Sequence, residues 1–527
     1  MITKKRLITL LVLFTFITFI SAAVLSSCKN YNRNSTHANV SLSSIKAGEA
    51  LAIKYCQSCH ALPDASMLDT RSWEKGVLPN MGPRLGIFYY GFESYPSYKS
   101  DRNLDTNFYP AKPLLTLQEW QNIIDYYVAT SPDSLPHQNR QQTIKNGLSL
   151  FTVQVPSNTY INPITSFVKI NTNDSLHPLI ISDALKQKIY FYNKKLQATD
   201  SINTSGPIVD IDLNETKMLA CNIGVLNPNN GRFGKAQFLS LDATKNNKDK
   251  LVLFDSLQRP VQLTSADLNN DGNPDYITCE FGNLTGALSW MENAGSGKFI
   301  RHVLRPFPGA VKAYVQDYNH DGLSDIWALF AQGEEGIFLF TNNGNGNFTQ
   351  QEVLRFPPVY GSSYFELADF NNDGYPDIVY TCGDNADYSP VLKPYHGVYI
   401  FLNDKTNRFI QKYFFPINGC YKAIARDFDN DGDLDIATIS FFADYAKQPE
   451  EGFVYLENEG NYQFQPFSIP QTQTGHWLTM DAGDINGDGK IDLVLGNFSM
   501  GSGIAKPSKD WKLGPPFMIL QNIGKKY

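Results

Sequence analysis

The chain has 527 residues, more than one ordinary compact core uses, so two or more domains are expected. Its formal charge is −7, and loss of Lys4, Lys5 and Arg6 with an export signal would make it −10. That balance excludes the basic face a nucleic-acid partner needs.

In chain order, Lys4, Lys5 and Arg6 precede an apolar run from Leu7 to Val24, the pattern of a secretory signal. A membrane-spanning helix is the rival reading. It is weakened by Leu25-Ser26-Ser27-Cys28, which resembles the lipobox of bacterial lipoproteins, whose cysteine is acylated and becomes the mature N-terminus. The resemblance implies a signal over 1–27, a lipid on Cys28 and a polar tether over 28–40. The protein would then sit on a bacterial cell-envelope membrane, at its periplasmic side or at the cell surface. Acyl chains contribute about 0.8 kcal/mol per buried methylene, enough for anchoring without a spanning segment.

Residues 41–135 carry the one cofactor signal. Ser44 to Tyr55 has helix-forming composition and leads into Cys56-Gln57-Ser58-Cys59-His60. Two cysteines three positions apart with histidine after the second form the attachment pattern of a c-type haem. Each thiol adds to one vinyl group, and His60 is held under the iron as proximal ligand. A redox dithiol is the alternative, and it would want a strand before the pair. Thr116 and Glu119 form a capping box, after which Trp120, Ile123, Ile124, Tyr127 and Val128 recur at helical spacing. A helix carrying the haem motif and an aromatic C-terminal helix resemble the small, all-α class I cytochrome c fold. That resemblance implies one covalent haem c and a methionine sixth ligand from a Pro/Gly loop. Met81, in Leu78-Pro79-Asn80-Met81-Gly82-Pro83, is the candidate, with Met67 the alternative. His/Met ligation closes both axial positions and suits electron transfer. The Tyr-rich insert from Phe88 to Tyr109 departs from the pattern and reads as loop padding.

From Ser131 the chain is polar and has no apolar period, and 136–146 is assigned as interdomain linker. From 147 to 527 a unit of about 50 to 58 residues recurs. Five copies carry an Asp-rich turn with oxygen side chains at positions 1, 3, 5 and 9. These are Asp267, Asn269, Asp271 and Asp275; Asp317, Asn319, Asp321 and Asp325; and Asp369, Asn371, Asp373 and Asp377. Asp427, Asp429, Asp431 and Asp435, and then Asp484, Asn486, Asp488 and Asp492, complete the set. Oxygen ligands with glycine at position 6 suit a hard cation, and the pattern lacks the Glu at position 12 of an EF-hand. About five Ca²⁺ ions would bring −10 to about zero. The repeats resemble the FG-GAP or VCBS repeats of integrin α-like propellers. With two earlier blades, from Leu179 to Leu196 and from Ile208 to Leu241, the resemblance implies an all-β propeller of about seven blades. Gly147 to Pro156 reads as a stray fourth strand that closes the ring on the last blade.

In such a meander the Asp turns join strands 1 and 2, and long insertions at Gly383–His396, Phe441–Glu451 and Asn497–Pro516 share the opposite face. Lys312, Tyr364, Lys422, His476 and Trp477 are candidate ligand residues on that face. His476 leads, because a His-Trp pair offers a titratable group and a stacking surface. Cys221, Cys279, Cys382 and Cys420 lie on apolar stretches, where buried free thiols compete with disulfides.

Two functions are compatible with this reading. One is a membrane-anchored electron-transfer cytochrome whose calcium-bound propeller binds a carbohydrate or protein ligand, with an unidentified redox partner. The other is a haem-linked dehydrogenase whose propeller oxidises a sugar or alcohol. The sequence shows no nucleophile elbow, zinc signature or phosphate loop.

Overall fold

The structure is a computed structural model, and it describes residues 31–157, 161–213, 217–240, 251–386, 388–500 and 510–525. The expected signal over 1–27 and the lipid-bearing Cys28 lie outside these residues. Among the described residues no helix is long and apolar enough to cross a membrane.

The described residues between 147 and 525 form seven sheets of a β-propeller. Blade 1 runs over Thr165–Ile170, Leu179–Asp183, Lys188–Tyr192 and Ala198–Asn203, and blade 2 over Ile208–Leu213, Lys217–Asn222, Gly234–Ser240 and Leu251–Leu257. Blades 3 to 7 begin at Pro260, Ala310, Ser362, Cys420 and Trp477. The second strand of blades 3 to 7 is buried along its whole length, because a neighbouring blade covers each of its faces. Outer strands such as Phe348–Arg355 are mostly exposed and polar. Cys221, Cys279, Cys382 and Cys420 are buried free thiols.

The ring closes as expected. Phe151–Gln154 supplies the fourth strand of blade 7, antiparallel to Phe517–Asn522, with Phe151 opposite Asn522. Lys145–Asn146 adds a fifth, parallel strand to blade 6. Residues 136–146 are therefore not a loose linker. Gln138 Nε2 donates to the carbonyls of Lys393 and His396 at 3.2 and 2.8 Å, and Arg140 Nε donates to Pro416 O at 2.8 Å. The Arg140 guanidinium also pairs with the fully buried Glu451.

First strands touch first strands around the axis, and their inner edges find partners through side chains. Ser166 donates to Ile208 O at 2.6 Å, Asp210 accepts from Leu263 N at 3.1 Å, and Gln262 accepts from Ala313 N at 2.6 Å. Tyr314 donates to Phe365 O at 3.2 Å, and Glu366 accepts from Ala425 N at 2.8 Å. Lys422 donates to Met480 O and Asp481 accepts from Ile170 N, both at 2.8 Å. All seven blade junctions are bridged in this way.

The N-terminal unit packs helices with irregular loops and is not the free-standing all-α domain the sequence led one to expect. Its α-helices are α1 (Leu42–Tyr55), α2 (Leu78–Met81) and α3 (Leu117–Thr130). The predicted capping box is present: Thr116 Oγ1 accepts from Glu119 N at 3.2 Å, and Glu119 Oε2 accepts from Thr116 N at 2.7 Å. Helices α1 and α3 meet at Gly48, where a Cβ would come within 1.8 Å of Asn122 O, so only glycine permits the contact. The Tyr-rich insert includes a short hairpin, Tyr89–Tyr90 with Glu93–Ser94, and its Tyr95 hydroxyl accepts from Trp120 Nε1 at 3.2 Å. Val359, Val391 and Tyr395 of the propeller join the core of this unit, which explains why it does not stand apart.

His476 and Trp477 are corrected from surface to core. Both are 0 % exposed. The His476 ring is stacked between Phe441 at 3.8 Å and Trp511 at 4.2 Å, with Nε2 2.6 Å from Phe441 O. Trp477 Nε1 donates to Thr472 O at 2.7 Å. The aromatic insertions that were to flank an open site instead fold over it.

Two outcomes follow for stability. Arg140→Ala strands a buried Glu451 carboxylate and should cost about 3–5 kcal/mol in urea unfolding, whereas Lys145→Ala, at an exposed strand end, should cost little. Burial lowers the His476 pKa to about 4, against carbonyl contacts that raise it. The unfolded chain takes up that proton near pH 6.5, so the folded state loses stability as pH falls from 6.5 towards 4, by about 3 kcal/mol in full. His476→Phe should remove that part of the acid dependence when unfolding free energies at pH 7.5 and 4 are compared; an unchanged dependence would refute it.

Candidate functional site

The five Asp turns share one hydrogen-bond scheme. The position 1 carboxylate accepts from the position 5 and position 6 amides, as Asp267 does from Asp271 N at 3.2 Å and Gly272 N at 2.9 Å. The same pair recurs at Asp317, Asp369, Asp427 and Asp484. Position 6 is glycine because the backbone there has φ from 82° to 97°, where a Cβ is strained. Position 4 is also left-handed, as at Asn270, His320, Asn372, Asn430 and Gly487.

Position 9 has a second role that spacing alone did not reveal. Asp275, Asp325, Asp377, Asp435 and Asp492 are all 0 % exposed. One oxygen of each accepts from the position 2 amide, and the other from an asparagine amide at the end of the third strand. These asparagines are Asn293, Asn342, Asn403, Asn458 and Asn522, at 2.7 to 2.8 Å. The signal was available, since each third strand ends in Asn, but it carries no charge and was passed over. Burial pushes these carboxyls up, Asp377 and Asp492 to about 6 and Asp435 to about 7, against the amide bonds that lower them.

Position 9 still faces the turn. In blade 6 one oxygen each of Asp427, Asp429 and Asp435 lies within 4.8 Å of the others, the separation a hard cation bridges. The donor set is all oxygen and fits Ca²⁺. Lys525 reaches Asp429 there, with Glu457 at 2.8 Å, and Lys405 lies 3.4 Å from Asp373 in blade 5.

Of the five ligand-face candidates, three come together in the channel and two do not. Lys422 Nζ lies over the Tyr364 ring at 4.7 Å, Tyr364 meets the Tyr314 hydroxyl at 3.0 Å, and Lys312 Nζ lies over Tyr314 at 4.9 Å. Burial lowers the Lys422 pKa to about 8. Its ammonium is committed to Met480 O, so it serves the ring before any ligand. His476 and Trp477 lie apart, in the core.

The Cys56–His60 motif follows directly on α1. Cys56 is half-buried and Cys59 exposed, and both are free thiols. Burial, then the nearby Cys59, raises the Cys56 thiol to about 11. His60 Nδ1 lies 2.8 Å from Ala61 O, a bond that fixes the ring and would leave Nε2 as the atom able to ligate a metal. Leu62, Met67, Val77 and Met81 pack on the helical core but remain half-buried, an apolar surface of the kind a macrocycle covers. The donors and this surface fit a covalent haem. Met81 does not lie in a loop, as its Pro/Gly neighbours suggested. It ends α2, within a continuous helical run from the π-turn Ser72–Val77 to the 3₁₀ turn Gly82–Leu85.

Comparison with known proteins bears on the propeller. The FG-GAP-like repeat family matches residues 267–328 and 317–380, each window opening on the first aspartate of a turn. Cartilage acidic protein 1 of Mus musculus is 30% identical over 193 residues, covering 34% of this chain and 27% of its own length. Among solved structures, the N-terminal domain of Nup159 is similar at 10% identity and a TM-score of 0.42, covering 73% of this chain and 99% of that one. The Pan2 WD40 domain of Neurospora crassa gives 11% and 0.44, covering 73% and 98%. The chain thus carries FG-GAP-like repeats in a seven-bladed β-propeller.

Proposed function

We propose that this protein is a membrane-anchored c-type cytochrome that moves single electrons, with its calcium-bound propeller as a binding module for a carbohydrate or protein ligand. The observation that carries the reading is the His60 ring at the end of the Cys56–Cys59 turn, oriented by Ala61 O with Nε2 left to ligate. Cys56 and Cys59 would form the two thioethers, and Met81, or in its place Met67, would be the second side-chain ligand beside His60. Bound haem supplies reversible one-electron chemistry. Cys56, Cys59, His60 and the methionine would hold it, a donor set that suits electron transfer.

The dehydrogenase reading loses its leading candidate. His476 is enclosed between two aromatic rings and both its nitrogens face backbone carbonyls, so it cannot reach a substrate in the channel.

Chain matured in a bacterial envelope should retain one haem per polypeptide through denaturing electrophoresis, as read by in-gel haem staining and pyridine haemochrome. Cys56→Ala with Cys59→Ala should abolish the stain, and Cys28→Ser should move the protein from the membrane to the soluble fraction. A colourless matured chain sinks the cytochrome reading. Chelation should lower the melting temperature and Ca²⁺ should restore it. Asp427→Ala with Asp429→Ala should remove part of the Ca²⁺ stoichiometry in titration calorimetry, and a melting curve indifferent to chelator would count against calcium.

A further inference from the structure

We propose that blade 5 of the propeller positions the axial-ligand segment of the haem site, clamping the stretch from Met67 to Met81 at two points. The proposal rests on the cytochrome reading above and adds a role for residues remote in sequence from the cofactor motif.

The clamp is the insertion between the second and third strands of blade 5, residues 383–396. It is braced internally: Asn385 Nδ2 donates to Val391 O and Lys393 Nζ to Asn385 Oδ1, both at 2.7 Å. Residues of the 136–146 segment bind its far end. From this braced loop Tyr395 reaches the helical unit. Its hydroxyl lies 3.1 Å from Met67 O and 3.2 Å from Val359 O, and its ring stacks on Tyr360 at 4.8 Å. That is the first point.

The second is Gly76. A Cβ there would lie 2.0 Å from Tyr388 O, so the backbone of the insertion rests directly on the backbone of the π-turn. The turn runs without a break into α2, and Asn80 Nδ2 donates back to Gly76 O at 2.7 Å. Contact at Gly76 is thereby passed to Asn80, the neighbour of Met81. The run changes from π to α to 3₁₀ turns within 14 residues and has no long regular stretch to hold it, so its place is set by what it leans on. π-turns recur where a side chain must be re-aimed for function. Tyr395 and Gly76 are positioning residues on this account; of the clamped stretch only the methionine would touch the metal.

The test uses full-length matured protein. Gly76→Ala and Tyr395→Phe are compared with the parent for covalent haem by haemochrome, for the charge-transfer band of methionine-ligated ferric haem, and for midpoint potential. Haem content should stay at the parent level, the band should be lost in Gly76→Ala and weakened in Tyr395→Phe, and the potential should move down as methionine ligation is lost. Tyr395→Phe removes one oxygen and decides the matter if Gly76→Ala does not fold. Parent-like band and potential in the folded variants would overturn the clamp and leave the cytochrome reading intact. A parent with haem but no such band would also overturn it, because there would be no ligand to position. A parent without covalent haem would overturn both.

Discussion

Each blade of a propeller turns the edge of its first strand towards the axis, and the peptide groups on that edge need partners. Here every junction meets the need with a side chain from one blade on the main chain of the next. The chemistry differs from place to place: hydroxyl at Ser166 and Tyr314, amide at Gln262, carboxylate at Asp210, Glu366 and Asp481, ammonium at Lys422. The charges lining the channel are thus part of the scaffold, and a ligand entering there would compete with the ring. Buried apolar clusters between blades supply most of the cohesion, and the ring fixes how the blades are set against one another.

The two faces divide the remaining work. On one, five buried aspartates tie each Asp turn to the end of the third strand, so the turn is rigid before any cation arrives. On the other, the helical unit is seated through Tyr388, Val391 and Tyr395, and Glu334 and Arg355 of blade 4, an ion pair that Arg305 of blade 3 joins, lie close enough to influence His60. The enlarged 2-3 loops are therefore used first for internal docking.

Strong periodic signals were legible in the chain. The Asp turns, the capping box at Thr116 and the four-strand division of each repeat depend on contacts between near neighbours or on repetition, and the closing strand near Phe151, though distant from its partner, was legible because the last repeat lacks a fourth strand. What escaped was set by distant contacts. Nothing local distinguishes Gly76 from an ordinary turn glycine until Tyr388 is brought against it, and a His-Trp pair in a polar stretch gives no sign that Phe441 and Trp511 will enclose it. Arg140 likewise reads as linker because its partner Glu451 is more than five blades of sequence away. The asparagine ending each third strand was repeated and could have been found, but only by aligning the copies on strand ends rather than on their acidic turns.

The pairing of Phe151–Gln154 with the last strand also governs how the molecule can fold. Gln154 and Gln521 are 367 positions apart, so blade 7 cannot be completed until all the intervening blades have been synthesised. Such a high contact order makes ring closure a slow, late event. Until then blade 7 exposes an unpaired strand edge, a site for aggregation or for exchange between chains. Deletion of Phe517–Asn522 should accordingly do more harm to the ring than a deletion of equal length in an exposed loop.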